Sequence, residues 1–140
     1  MTIHLLTHRN TDSFYDRTDA HDGDIFLLTG KGAGVTLEGL DNTTLLFMGH
    51  DQRALLENTG RTTIFDEGQG THFIFTEGDK LITIYDFQHD KTGFILGIQT
   101  ATLAVHFVAS SDGHGGTMLT GNGLKIDLVG DKHVLDSQHS

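Results

Sequence analysis

The chain contains no cysteine and no proline. Without cysteine there is no disulfide, no thiol nucleophile and no Cys-based zinc site. Without proline every backbone N–H can join a β ladder, and no X-Pro isomerisation slows folding. Basic residues are few: nine Lys and Arg stand against 19 Asp and Glu, a formal net charge of −10 with His neutral. Such a surface repels nucleic acid and anionic membranes and attracts cations. No apolar run approaches the roughly 20 residues of a membrane-spanning helix. Met1 to Asn10 has no basic start followed by an apolar stretch, so no secretory signal peptide is expected there.

What the chain does have is glycine, 18 residues in 140, and ten histidines. The length fits one domain, 1–140. Glycine supplies the dihedrals of tight turns. Protonating all ten histidines would cancel the formal charge, so colloidal stability should fall as the solution is acidified.

Short apolar segments recur about every nine to ten residues, each after a turn-rich patch. They are Gly34 to Leu37, Thr44 to Phe47, Thr63 to Phe65, Phe73 to Phe75 and Leu81 to Ile84. Ile64-Phe65-Asp66-Glu67-Gly68 nearly returns ten positions later as Ile74-Phe75-Thr76-Glu77-Gly78, and Leu46-Phe47 lies 18 positions before Ile64-Phe65. Even spacing of short strands marks a β-solenoid, sandwich or barrel. Residues 1–24 read as a cap, with a strand at Ile3 to Leu6 and a loop or helical turn around Ser13 to Arg17. Residues 25–129 are the repetitive β part, and 130–140 a polar tail. Gln52 to Glu57 fits a helical turn locally, but its neighbours favour strand. Further strands are expected at Phe94 to Ile98, Leu103 to Val108, Thr117 to Leu119 and Leu124 to Val129. The apolar residues Leu45, Phe47, Ile64, Phe65, Phe73, Phe75, Ile82 and Ile84 read as a stacked core.

Asp66-Glu67-Gly68-Gln69-Gly70 is the leading candidate for an ion site, because acidic residues and paired glycines let carboxylates and carbonyls converge on a hard cation. An ordinary β turn accounts for it equally simply. Asp19 to Asp24 is acidic but lacks the EF-hand register, and a solvated turn explains it. His50 and His72, or His72 and His89, could converge one coil apart and with a carboxylate suit a first-row metal; surface positions are the plainer reading. Ser110, Ser111, Asp112 and His114 hold the residue types of a hydrolytic triad, but triad members meet through the fold, not along one loop. No Gly-x-Ser-x-Gly elbow is present. Gly30 to Gly34 lacks the ending of a phosphate loop and reads as a turn.

The order Gly68-Gln-Gly70-Thr-His72-Phe-Ile74, Glu77-Gly78-Asp79, Leu81 to Phe87, Asp90-Lys91 and Phe94-Ile-Leu96 resembles RTX proteins, the hemolysin-type calcium-binding repeat family. Asp112-Gly-His-Gly-Gly116, then Leu124 to Gly130, resembles the C-terminal ending of such chains. The likeness covers roughly residues 60 to 135. It implies a right-handed parallel β-roll or β-helix, calcium in the turns, and export to the extracellular space without an N-terminal signal. The calcium ligands it implies are Asp66, Glu67, Gly68, Gly70, Glu77, Asp79, Asp86, Asp90 and Asp112. The chain departs from the family nonapeptide at two places: Glu67 stands at the first Gly and His72 at the Asp.

The expected fold is therefore all-β, a right-handed parallel β-roll or β-helix with an N-terminal cap; a β-sandwich or jelly roll is second. The expected function is a secreted, non-enzymatic RTX-like module for adhesion, surface display or export, with calcium as its ligand or its repeats degenerate. Two alternatives stand beside it. One is a small His/Asp metal-dependent enzyme on a cupin-like jelly roll. The other is an ion-free, self-assembling β-solenoid, whose edges would favour a homo-oligomer.

Overall fold

The computed structural model describes residues 2–67, 71–75, 81–85, 108–111, 113, 115–121 and 124–129. Among them are twelve strands and no helix. In chain order these are β1 (Ile3–Leu6), β2 (Asp12–Tyr15), β3 (Ile25–Leu28), β4 (Gly34–Glu38), β5 (Thr43–Phe47) and β6 (Arg53–Glu57). β7 (Arg61–Asp66), β8 (His72–Phe75), β9 (Leu81–Tyr85), β10 (Val108–Ser111), β11 (Thr117–Gly121) and β12 (Leu124–Leu128) follow.

The chain alternates between two sheets. β1, β3, β5, β7 and β9 lie in a wide sheet of eight strands, and β2, β4, β6 and β8 form a narrow sheet of four. Each coil thus contributes one strand to each sheet, which is why the strand signal recurs at half the coil length. Leu27 pairs with Leu46, and Leu46 with Phe65, each 19 positions on. In the narrow sheet Leu37 pairs with Leu56, also 19 positions on. Eight of the ten strand pairs are parallel, which defines a parallel β-solenoid rather than a sandwich or jelly roll. The middle coils close on 19 residues, one more than the 18-residue offset between Leu46-Phe47 and Ile64-Phe65, while Ile3 pairs with Ile25 across 22 and Ile64 with Ile84 across 20. Leu45 therefore pairs with Ile64.

That register divides each strand by parity, because successive side chains face opposite sides of a sheet. Phe26, Leu45, Ile64 and Ile84 form one inward row of the wide sheet, all fully buried. Val35, Ala54 and Phe73 form an inward row of the narrow sheet. Phe47 and Phe73 meet edge to face, centroids 5.4 Å apart, and tie the two sheets together. Burying each such side chain contributes roughly 1.5–3 kcal/mol.

Turn chemistry repeats with the coil. Gly32 and Asp51, 19 apart, both take positive φ (71° and 56°), as do Gly39 and Asn58 (72° and 53°). Only Gly, Asn and Asp adopt that conformation cheaply.

Three local expectations are corrected and one is met. The loop or helical turn expected around Ser13 to Arg17 begins only at Asp16, whose carbonyl accepts the Asp19 and Ala20 N–H groups; Asp12–Tyr15 is a strand, because its pairing with β4 continues the stack. Gln52 to Glu57, where the neighbours favour strand over a helical turn, is strand β6 from Arg53 onward, as expected. The stack does not remain parallel to residue 129. β12 pairs with β9 in parallel, but β11 and β10 then add antiparallel. A two-residue link between β11 and β12 allows only an antiparallel return. The segment expected as a cap supplies the first coil itself, with His4 and Leu6 at inward positions against Phe26 and Leu28. The strand expected at Phe94 to Ile98, residues 103–107 of the next and the tail 130–140 lie outside the described residues.

Candidate functional site

The corners of the coils are closed by side chains that reach the neighbouring coil. The Asp41 N–H donates to Asp22 Oδ1 at 2.8 Å, and the Arg61 N–H donates to Asp41 Oδ1 at 2.7 Å. One carboxylate per coil thus accepts a backbone N–H from the next. At the opposite corner Gln52 is fully buried. Its Oε1 accepts from the Gly49 N–H at 3.0 Å, and its Nε2 donates to the Gly30 carbonyl at 2.9 Å. One coil further on, the Thr71 hydroxyl donates to Asp66 Oδ1 at 2.9 Å, with both residues buried.

A second polar cluster sits where the first coil meets the second. Asp24 is 1% exposed. Its carboxylate accepts the N–H of Thr2 at 2.9 Å and of His21 at 3.0 Å, and His4 Nε2 lies 2.9 Å from its Oδ2. Burial raises this carboxyl's pKa. The His4 contact and the two N–H groups outweigh burial and hold it at about 2. The His4 ring stacks on Phe26, centroids 4.6 Å apart, and Tyr15 meets Phe26 edge-on at 4.9 Å. Burial, then the Asp19 carboxylate, pushes the Tyr15 phenol up. The Asp24 row continues inward as Thr43 and Thr62, 1% and 2% exposed. Neither threonine hydroxyl has a partner among the described residues.

The outer face of the wide sheet is the third feature. Leu5, Leu27, Leu46, Phe65 and Tyr85 form one outward row along the stack. Leu5 is 59% and Tyr85 38% exposed, and the three between are half-buried. Phe65 and Tyr85 stack on each other, centroids 4.9 Å apart. A parallel row runs Ile3, Ile25, Thr44, Thr63 and Thr83. Of the side chains that these five strands turn outward, only Arg61 is charged.

The sequence reading of Phe65 as core is corrected here. Ile64 is fully buried, whereas its neighbour Phe65 points outward and is half-buried. Leu45, Phe47, Phe73, Ile82 and Ile84 are core as expected. Asp66 turns into a corner and bonds Thr71, while Glu67 is exposed just beyond β7. Gly68, Gly70, Glu77, Asp79, Asp86, Asp90 and Asp112 lie outside the described residues. The Asp19 to Asp24 turn is not wholly solvated, since Asp24 is buried and fully engaged. His50 and His72 are both exposed, and among the described residues no three His, Asp or Glu side chains gather to hold a metal ion. Ser110 and Ser111 are exposed residues of β10, and Asp112 and His114 fall outside the described residues. The His4–Asp24 pair and the outward row were missed by sequence reasoning. Period-2 alternation carried the signal for the row once the 19-residue register was known; nothing local links His4 to Asp24.

Together the two sheets and their side-chain-closed corners define a β-solenoid whose β1, β3, β5, β7 and β9 carry a largely apolar outer face with Arg61 as its one charged side chain. No protein-family model, curated protein or solved structure matches the chain.

Proposed function

We propose that this chain is a non-enzymatic β-solenoid module, one whose coils close without a bound ion and whose work is done by the surface it displays, in adhesion or assembly. One observation carries the reading. The corner carboxylates of the described coils already serve as hydrogen-bond acceptors for the next coil: Asp22 for Asp41, and Asp41 for Arg61. Each of these bonds ties one corner to the next with groups of the protein alone. The largely apolar outer face of β1, β3, β5, β7 and β9 supplies a surface suited to contact rather than to catalysis.

Thermal melting followed by circular dichroism, in chelator and across a calcium titration with a zinc control, tests this. The expected result is full β signal in chelator and a melting temperature that calcium shifts by less than about 1 °C. Calcium-induced β signal, or a rise of several degrees, would overturn the ion-free reading. The RTX-like reading, with calcium at Asp66 to Asp112 and export to the cell exterior, would then replace it.

A further inference from the structure

We infer that the outer face of β1, β3, β5, β7 and β9 is a homodimer interface, taking a second copy of this chain face to face. The inference rests on the display-module reading and names the partner of the displayed surface.

Charge distribution is the first argument. A chain with a formal net charge of −10 keeps every acidic side chain off the outward positions of these five strands. A basic partner finds no anionic group on these strands, and a second copy sets no carboxylate against a carboxylate; the one charged side chain, Arg61, stands at the start of β7, off the central row. Shape is the second. Parallel strands repeat about every 4.8 Å, so the rows of one copy are commensurate with those of another, and sheets pack about 10 Å apart.

The face is also self-complementary. Its main row is aliphatic at one end, with Leu5 and Leu27, and aromatic at the other, with Phe65 and Tyr85. A twofold axis lying in the contact plane along β5 sets β1 of one copy over β9 of the other. Each aliphatic end then meets an aromatic end, and Leu46 meets Leu46 near the axis. Such isologous pairing closes at two chains. Area is the third argument. Five strands span about 24 Å along the stack and about 17 Å along the strands. With side chains standing out from the sheet this offers roughly 600 Å² per partner, the low end of stable interfaces.

Analytical ultracentrifugation from about 1 to 200 µM is the test, run on the full chain in chelator and in calcium. The expected result is a shift from one to twice the chain mass within that range. Raising salt from about 50 to 500 mM should tighten the dimer by screening its two net negative charges. Leu46→Thr with Phe65→Thr, which keeps strand-forming residues, should weaken dimerisation at least tenfold. Leu55→Thr on the narrow sheet should leave it unchanged. Because the chain has no cysteine, Leu46→Cys gives a clean second probe: a short bis-maleimide, long enough to span facing sheets about 10 Å apart, should cross-link it to itself, and Leu55→Cys should stay uncrosslinked. A wild-type chain that stays at one chain mass at 200 µM overturns the interface, as it would if another part of the same chain covered this face. So does a dimer indifferent to the double variant that also fails to cross-link through Leu46→Cys. A chain that folds only with calcium defeats the ion-free reading alone, and the mass of the calcium-bound protein still decides the interface.

Discussion

His4 Nε2 lies 2.9 Å from the Asp24 carboxylate and fastens the first coil of the stack to the second. Asp24 is also the N–H acceptor for Thr2 and His21, so one buried carboxylate orders three backbone segments. Its folded-state pKa of about 2 lies below the ordinary 3.8. The sign follows from linkage: a depressed carboxyl pKa contributes stability that is fully present above pH 4 and is lost as pH falls through about 2. Urea midpoints measured between pH 5 and pH 2 should therefore fall, and should fall less in Asp24→Asn. At pH 7 that variant should cost about 1–3 kcal/mol. A variant as stable as wild type at pH 7 would remove Asp24 from this role.

Thr43 and Thr62 carry the opposite expectation. Both hydroxyls are buried without a partner among the described residues, on an inward row that is otherwise apolar beyond Asp24. A buried, unbonded hydroxyl costs about 1–3 kcal/mol, and valine has nearly the same shape. Thr43→Val and Thr62→Val should each raise stability by about 1 kcal/mol in urea titrations. A loss of stability would mean that the hydroxyls are bonded in solution.

Two glycines of one turn should respond differently to alanine. A Cβ at Gly30 would lie 2.5 Å from the His8 carbonyl oxygen and 2.7 Å from that of Thr7, both fixed backbone atoms. At Gly34 the nearest atoms are the Asp12 carboxylate and the Arg53 stem. Arg53 passes over Gly34 to meet Asp12 at 2.7 Å, and both side chains are largely exposed. Gly30→Ala should cost roughly 2–3 kcal/mol, because the backbone of the neighbouring coil must move. Gly34→Ala should cost under about 1 kcal/mol, because an exposed ion pair contributes little. Equal melting temperatures for the two variants would contradict the close approach at Gly30.

Much of the fold was legible in the sequence because strand and turn signals there are local. Val35, Leu45, Ile64 and Ile82 sit in β-branched or aromatic runs bounded by Asp, Asn and Gly. β2 was not legible: Asp12-Ser13-Phe14-Tyr15 has one apolar alternation, and its pairing with β4 sets its conformation. Phe65 was misread because a repeat of nine to ten residues fixes strand existence but not parity. Parity depends on whether the coil holds 18 or 19 residues, and the pairing of β5 with β7 sets 19. The polar contacts were least legible. Asp24 reads as one acid among five near the start of the chain, and its burial follows only from Thr2 and His4 lying one coil away.

The 19-residue register between β5 and β7 puts Thr62 inside and Thr63 on the outer face of the wide sheet. In a chain with no cysteine, Thr62→Cys and Thr63→Cys are single reactive sites. Thiol labelling of each native variant, at a dilution where the chain is monomeric, measures the register directly. Thr63→Cys, half-buried on the outer face, should react within about tenfold of an unfolded control, and Thr62→Cys at least a hundredfold more slowly than Thr63→Cys. A one-residue slip turns every side chain to the other face. Rapid labelling at Thr62→Cys with protection at Thr63→Cys would contradict the register, and with it the outer face on which the functional reading depends.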